Sequence, residues 1–155
     1  MLVAELDKET LLAEAITEIY LIHETWHKHK LSKELADRYH KNLIAKGNIL
    51  TYIENNELLG YAEFWRINYE QFGRILCMEP FHAETENTTD GNIAYLANIW
   101  VSPEYRKGIT FKALKMQFFA INYMCKHFVG ERRTKKAQLV KVFKREDILK
   151  EEQNG

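Results

Sequence analysis

The chain has 155 residues, 46% of them hydrophobic, with seven glycines and two prolines, which predicts one domain over residues 1–150 and a frayed tail at 151–155. Its 22 basic residues balance its 22 acidic ones, so no global field favours nucleic acid or an anionic membrane. Acidic residues near the start predict that no signal peptide is present, and the lack of an apolar run of about 20 residues predicts that no segment spans a membrane. With only two cysteines, Cys77 and Cys125, the chain is predicted to be cytoplasmic.

Two helices are predicted at the beginning of the chain. Asp7 is suited to cap the first, in which apolar residues recur at helical spacing as far as Trp26. Ser32 is suited to cap the second, and Gly47 fits the left-handed position after its last residue. The apolar face of the second helix is predicted to contain Leu35, Ala36, Tyr39 and Leu43.

The pattern then changes to that of strands. NILTYIE and ELLGYAEFWRI flank Asn55-Asn56, a pair that tolerates positive φ, and this predicts a β-hairpin. Residues 68–92 are less regular, and we expect a loop excursion with one strand at Arg74 to Met78.

A central strand is predicted from Ile93 to Val101 and a long helix from Ile109 to Lys126. The apolar stripe of that helix contains Phe111, Leu114, Phe118, Ile121 and Cys125. After Gly130, the residues Leu139, Val140, Val142 and Phe143 fit either a short helix or a final strand.

The most informative segment is IAYLANIWVSPEYRKGITFKAL, residues 93–114, in which an apolar strand passes through a basic turn into a helix. The first N–H groups of a helix lack intrahelical partners and carry partial positive charge. Arg106, Lys107 and Lys112 add full charges beside them. The segment therefore predicts a site for a phosphorylated ligand.

The order of these elements resembles the GNAT (Gcn5-related N-acetyltransferase) superfamily over residues 48–145, most sharply at residues 96–114, where V-x-P-x-x-R leads into a glycine turn. The resemblance implies an α/β fold of the α+β type: one domain with two N-terminal helices, a mixed sheet containing an antiparallel hairpin, and a long helix after the central strand. It also implies an enzyme that transfers an acetyl group from acetyl-CoA to a small-molecule or protein amine, by direct attack in a ternary complex.

By position, the resemblance places acetyl-CoA along this segment. Backbone groups of Ile99, Trp100 and Val101 would bind the pantetheine, and one N–H would stabilise the oxyanion. The pyrophosphate turn would consist of Arg106, Lys107, Gly108, Ile109 and Thr110. The family pattern Q/R-x-x-G-x-G/A fits no register: a start at Arg106 puts Ile109 and Phe111 at the small positions, and Gly108 as the first glycine puts Tyr105 and Thr110 at the other two.

Several residues are candidates for the catalytic base and acid. Glu63 is the first choice for the base, because aromatic neighbours in YAEFW would raise its pKa, although strand alternation also fits a solvent-facing position. Glu79 and His82 in the irregular segment are reserves. Candidates for the lining of the amine site are Tyr39, Trp65, Tyr69 and Glu79.

Many members of the family use a tyrosine on the last helix to reprotonate the thiolate. If AQLVKVF is that helix, Val142 or Phe143 takes the position, and neither can donate a proton. Tyr123 on the preceding helix is the nearest substitute, and it equally fits a packed tyrosine with its hydroxyl at the surface.

A second function class rests on His23-Glu24-Thr25-Trp26-His27, a literal H-E-x-x-H. Two histidines four apart on a helix can bind zinc while Glu24 acts as the base of a metalloprotease. Only 22 residues precede His23, which leaves no room for the sheet that zinc proteases place before this helix, so a metal-free histidine-rich helix end is the preferred interpretation.

A third class is non-enzymatic. Basic residues concentrate near the C-terminus, between residues 132 and 145, where they could contact nucleic-acid phosphates, although Glu131, Glu146 and Asp147 dilute them. Together with the irregular turn, this segment leaves open a GNAT-like binding or structural protein in a phage particle or a larger assembly. The basic residues are Arg132, Arg133, Lys135, Lys136, Lys141, Lys144 and Arg145.

Overall fold

The computed structural model of this protein describes residues 2–22, 31–77, 91–133 and 138–144. Four helices and five strands lie in these ranges, which confirms the expected mixture of helices with a mixed sheet. In chain order they are α1 (Leu2–Ile22), α2 (Lys33–Lys46), β1 (Ile49–Glu54), β2 (Glu57–Ile67), α3 (Tyr69–Leu76), β3 (Ile93–Val101), α4 (Thr110–Ile121), β4 (His127–Arg133) and β5 (Gln138–Lys144).

The five strands form one sheet in the order β1-β2-β3-β4-β5. All neighbouring pairs are antiparallel except β3 and β4, which are parallel. The parallel pair needs a crossover connection, and α4 provides it. The predicted central strand is therefore confirmed, since β3 lies in the middle of the sheet.

The predicted hairpin is β1 and β2. Its turn consists of Asn55 with φ 51° and Asn56 with φ 62°, both in the left-handed region that asparagine tolerates better than most residues. Positive φ at both central positions characterises the type I′ turn, whose twist matches that of the flanking strands.

The two leading helices are confirmed, with corrections at their ends. Ser32 accepts a hydrogen bond from the Leu35 N–H, and Gly47 has φ 71°, so both predicted caps of α2 are present. Asp7 is not a cap, because α1 already begins at Leu2. Leu35 is 50% exposed; the buried positions of α2 are Ala36, His40 and Leu43.

The segment after the hairpin contains the helix α3, where a loop with one strand was predicted. Residues 74–76 belong to α3 and not to a strand, so the strand predicted at Arg74 to Met78 is wrong as far as the structure describes it. Asn68 and Gln71 form a reciprocal capping box, in which each side chain bonds the backbone N–H of the other residue. Two satisfied N–H groups favour a helix start at this point.

The helix between β3 and β4 is shorter than predicted. The helix α4 ends at Ile121, and Cys125 is buried in the turn that follows. Phe111 and Ile121 are 46% and 43% exposed, so they do not belong to the apolar stripe, whereas Leu114 and Phe118 do. Of the two alternatives for the last segment, the strand is correct.

Hydrophobic side chains cover both faces of the sheet. On the face of α2 and α3 the core consists of Leu43, Trp65, Ile67, Ile75, Ile93, Tyr95 and Val129. On the face of α4 it consists of Phe64, Ala94, Phe118, Phe119, Cys125 and Phe128. The helix α1 adds Ile16 against Tyr61 and Trp100. Within the described ranges, no helix is long and apolar enough to cross a membrane.

Candidate active site

The sheet opens at its centre, where β3 separates from β4. The two strands pair only from Ile93–His127 to Leu96–Gly130, while β3 stays paired with β2 as far as Val101. The register of β2 and β3 shifts between Glu63 and Phe64, so that Ala97 is an extra residue on β3. Such a bulge bends a strand and increases its twist, and it coincides here with the point of separation.

The peptide groups beyond the bulge alternate between β2 and the open edge. The N–H of Ser102 donates to the carbonyl oxygen of Leu59 at 2.8 Å, which makes Gly60 and Val101 a non-hydrogen-bonded pair. By alternation, the N–H and C=O groups of Ile99 and Val101 face the open edge, and those of Trp100 face β2. Three backbone positions were expected to face pantetheine, and the peptide groups of two of them, Ile99 and Val101, therefore face the opening.

A cavity of about 340 Å³ lies beside this open edge. Among the described residues, its lining combines apolar side chains with one cation: Ile99, Trp100, Val101, Arg106 and Phe111. Arg106 Nε donates to the Val101 carbonyl oxygen at 3.0 Å, which orients the guanidinium at the end of β3. The remaining guanidinium nitrogens are suited to an anion, because arginine offers five donors in a fixed plane.

The turn between β3 and α4 bonds largely to itself. The Tyr105 N–H donates to the Ser102 carbonyl oxygen at 2.8 Å, and the Gly108 N–H donates to the Tyr105 carbonyl oxygen at 3.1 Å. Thr110, the first residue of α4, is only 2% exposed, because its methyl group lies against Gly60 of β2. Lys107 and Ile109 are exposed. Of the five predicted turn residues, Arg106 lines the cavity and Thr110 packs against β2.

Glu63 lies on the face of the sheet that packs against α2, opposite the face of α4. It is buried, with 6% of its surface exposed. Its Oε2 atom accepts hydrogen bonds from the Tyr39 hydroxyl at 3.1 Å and from Trp65 Nε1 at 3.0 Å. Asn98, which is paired with Glu63 across β2 and β3, also donates to the carboxyl group. The solvent-facing alternative for Glu63 is therefore wrong.

The surroundings of Glu63 affect its protonation in two opposing ways. Burial disfavours the charged form and raises the pKa of the carboxyl group, while the hydrogen bonds from Trp65, Tyr39 and Asn98 oppose part of this increase. The net direction is upward. A carboxyl group with a raised pKa binds a proton nearer to neutral pH, as a general base requires.

Tyr123 does not lie with these residues. It follows α4 and is 62% exposed, next to Asn122, whose Oδ1 accepts from Arg66 Nε at 2.9 Å. Arg66 pairs with Ala94 near the start of β3, whereas the cavity is at the end of that strand. Val101 lies seven residue steps after Ala94 along the strand, a distance of about 23 Å at 3.3 Å per step.

Other candidates lie outside the described residues. These are Glu79 and His82, and the two histidines of the H-E-x-x-H motif, His23 and His27. Among the residues that are described, no group of three or more metal-ligating side chains is present. The basic C-terminal segment falls largely on β4 and β5, which pair antiparallel from His127–Lys144 to Arg133–Gln138.

Two residues of the site were not identified from the sequence. Asn98 is the single polar residue in IAYLANIWV, and a polar side chain in an apolar strand requires a buried partner. Phe111 was placed in the core because of its helical spacing, but a first-turn residue next to a basic turn is equally placed to line a ligand site. Both signals were present in the sequence.

The central strand of this α/β domain separates from its parallel neighbour, and a basic turn and an apolar cavity lie at the opening. This architecture is typical of acyltransferases. The model of the "Acetyltransferase (GNAT) family" matches residues 12–133, which is most of the chain. The chain therefore belongs to the GNAT acetyltransferase family, as the sequence resemblance implied.

Solved structures share the fold. A ribosomal-protein-alanine N-acetyltransferase from Brucella melitensis has a TM-score of 0.51 and 14% identity, covering 97% of this chain and 79% of that one. A predicted acetyltransferase from Clostridium acetobutylicum with acetyl-CoA has a TM-score of 0.50 and 16% identity, covering 83% and 77%. An N-acetyltransferase from Staphylococcus aureus Mu50 has a TM-score of 0.50 and 12% identity, covering 96% and 84%. A search of the curated proteins found no match.

Proposed function

We propose that this chain transfers an acetyl group from acetyl-CoA to a primary amine. The observation that carries the proposal is the opening of the sheet after Leu96–Gly130, with peptide groups of Ile99 and Val101 turned toward the open edge and Arg106 at its end. The apolar side chains of Ile99 and Val101 suit the pantetheine, and the guanidinium suits a phosphate. Family membership supports the same donor.

The chemistry requires one bond to form and one to break. The amine nitrogen attacks the thioester carbon, the C–S bond breaks, and the products are an amide and a free thiol. Developing negative charge on the thioester oxygen would be stabilised by the N–H of Ile99 or Val101, because both face the open edge. The acceptor must lose a proton before attack, and the departing sulfur takes one up.

Glu63 is the proposed acceptor of the amine proton, with Tyr39 as the group through which the proton passes. Glu63 is too deeply buried to touch an amine, but Tyr39, whose hydroxyl bonds to it, is only half-buried. Trp65 and Asn98 cannot take this part, since an indole N–H only donates and an amide nitrogen does not accept a proton, whereas the hydroxyl oxygen of a tyrosine can do both. Glu79, His82 and Tyr123 have no part in this proposal.

Two measurements test the function. Isothermal titration should detect acetyl-CoA binding, and thiol release should follow acetyl transfer to a panel of amines: a peptide with N-terminal alanine, a lysine peptide and spermidine. Absence of acetyl-CoA binding at millimolar concentration would contradict an active enzyme and favour the binding or structural alternative. Binding without transfer to any of the three amines would contradict the proposed acceptor class.

Matched variants connect the activity to the residues. Arg106→Ala should weaken acetyl-CoA binding by about 1.5–3 kcal/mol, the size of a charge-assisted hydrogen bond. Lys126→Ala is the control, because Lys126 is an exposed cation beyond the other end of α4. Glu63→Gln should lower the transfer rate by about 10²–10⁴-fold, whereas Glu57→Gln, on the exposed part of the same strand, should not. Equal effects within either pair would contradict the assignment.

A further inference from the structure

The donor site contains two large side chains where a pyrophosphate would need space. A phosphate approaches the backbone at the start of a helix closely only if the residues there carry little side chain. In this chain Ile109 precedes α4 and is 69% exposed, and Phe111 in its first turn is 46% exposed. Both occupy positions at which the register that starts at Arg106 expects a small residue, so they leave less room for a phosphate at the helix N–H groups.

The turn before α4 also satisfies two of its own N–H groups. The N–H groups of Tyr105 and Gly108 already donate to carbonyl oxygens within the turn, so they are satisfied without a ligand. The oriented cation at the cavity is Arg106, which is fixed by its bond to the Val101 carbonyl oxygen. One guanidinium can bind one phosphate group bidentately.

The apolar part of the cavity fits the remainder of a phosphopantetheine arm. Ile99 and Val101 supply apolar side chains along the open edge of β3, and Phe111 adds an aromatic ring. A volume of about 340 Å³ is near the lower end of the range for small-molecule sites. A cavity of this size suits an arm with one terminal phosphate better than the whole of coenzyme A.

We propose that the donor site recognises the acyl-phosphopantetheine arm through one phosphate bound to Arg106, and does not recognise the nucleotide half of coenzyme A. The proposal rests on the proposed function and refines it. The arm occurs both in acyl-CoA and on phosphopantetheinylated carrier proteins. The substrate class of the donor is therefore any short acyl thioester of phosphopantetheine, and the exposed Lys107 and Lys112 suit an acidic carrier surface.

Titration calorimetry with four small ligands tests the proposal: CoA, 4′-phosphopantetheine, pantetheine and adenosine 3′,5′-bisphosphate. Phosphopantetheine should bind within about threefold of CoA, pantetheine should bind at least about tenfold more weakly because it lacks the phosphate, and the bisphosphate should not compete. CoA binding about tenfold or more tighter than phosphopantetheine, or competition by the bisphosphate, would overturn the proposal while leaving the proposed function intact. No binding of either CoA or phosphopantetheine would contradict both.

A variant pair and a carrier protein complete the test. Ile109→Gly removes an exposed side chain at a position that tolerates glycine, and it should increase the preference for CoA over phosphopantetheine by about fivefold or more by admitting the second phosphate. Ile121→Ala, at the other end of α4 and also exposed, should leave that preference unchanged; equal ratios in both variants would overturn the steric argument. Binding of a holo carrier protein but not its apo form would assign the protein-bound arm as a source, and binding of phosphopantetheine without the holo protein would assign CoA.

Discussion

The contact between β2 and the start of α4 predicts that Gly60→Ala destabilises the protein. A Cβ atom at Gly60 would lie 2.9 Å from the Trp100 carbonyl oxygen, 2.9 Å from Leu114 Cδ1 and 3.2 Å from Thr110 Cγ2. The leucine methyl group can move, but the carbonyl oxygen belongs to the backbone of β3. The methyl group therefore forces a strand or the helix to shift.

The size of the effect follows from overpacking, which costs about 1–3 kcal/mol. For a chain of this length, 1 kcal/mol corresponds to about 2–4 °C in Tm, so Gly60→Ala should lower Tm by several degrees. Gly73→Ala is the control, because a Cβ atom there meets nothing within 4 Å and alanine is the better helix former in α3. It should stabilise by about 0.5–1 kcal/mol.

Urea unfolding followed by circular dichroism measures both free energies of unfolding, and titration with acetyl-CoA measures the effect on the site. The same shift moves the first turn of α4 relative to β3, so Gly60→Ala should also weaken acetyl-CoA binding, whereas Gly73→Ala should not. A Gly60→Ala protein that is as stable as the wild type would refute the close approach of β2 and α4. Lost stability with unchanged affinity would refute the link between this contact and the donor site.

Three further changes have expected outcomes. Because burial raises the pKa of Glu63, the folded chain binds its proton more tightly than the unfolded chain, and the stability of the fold falls as pH rises from the ordinary pKa through the raised one. In thermal melts from pH 4 to 9, the Tm of Glu63→Gln should therefore increase relative to that of the wild type as pH rises. Parallel curves of Tm against pH would contradict this. Leu114→Ala removes a fully buried side chain and should cost about 2–5 kcal/mol in urea unfolding; a loss below 1 kcal/mol would be inconsistent with that burial. Ser32→Ala removes the cap of α2 and should cost about 0.5–2 kcal/mol, detectable by the same method, and no loss would show that the cap is not formed in solution.

Much of the fold was predictable because its signals are local. The asparagine pair of the hairpin, the caps of α2 and the apolar run of β3 each act within a few residues. The helix α3 had an equally local signal in Asn68 and Gln71, and it was missed because the glycine and the polar residues that follow suggested a loop. The end of α4 was placed too late because apolar spacing continues to Cys125, which is buried by the sheet after the helix has ended.

The candidate site was less predictable because it depends on contacts between distant segments. The burial of Glu63 requires Tyr39, which lies 24 residues earlier, and strand alternation alone favoured exposure. The preference of Arg106 for the Val101 carbonyl oxygen is a matter of turn geometry that charge spacing does not reveal. The extra residue in β3 leaves no mark in composition or periodicity either, because Ala97 is an ordinary strand residue in its sequence context.

The opening of the sheet coincides with a single extra residue, Ala97 of β3. Phe64–Leu96 and Glu63–Asn98 are already successive pairs on β2, so deletion of this one codon would preserve every pair and leave a regular ladder. We expect the strand then to lose the bend that coincides with its separation from β4. We therefore expect the cleft to depend on the number of residues between Leu96 and Asn98, so that a change in chain length that alters no functional side chain would remove it.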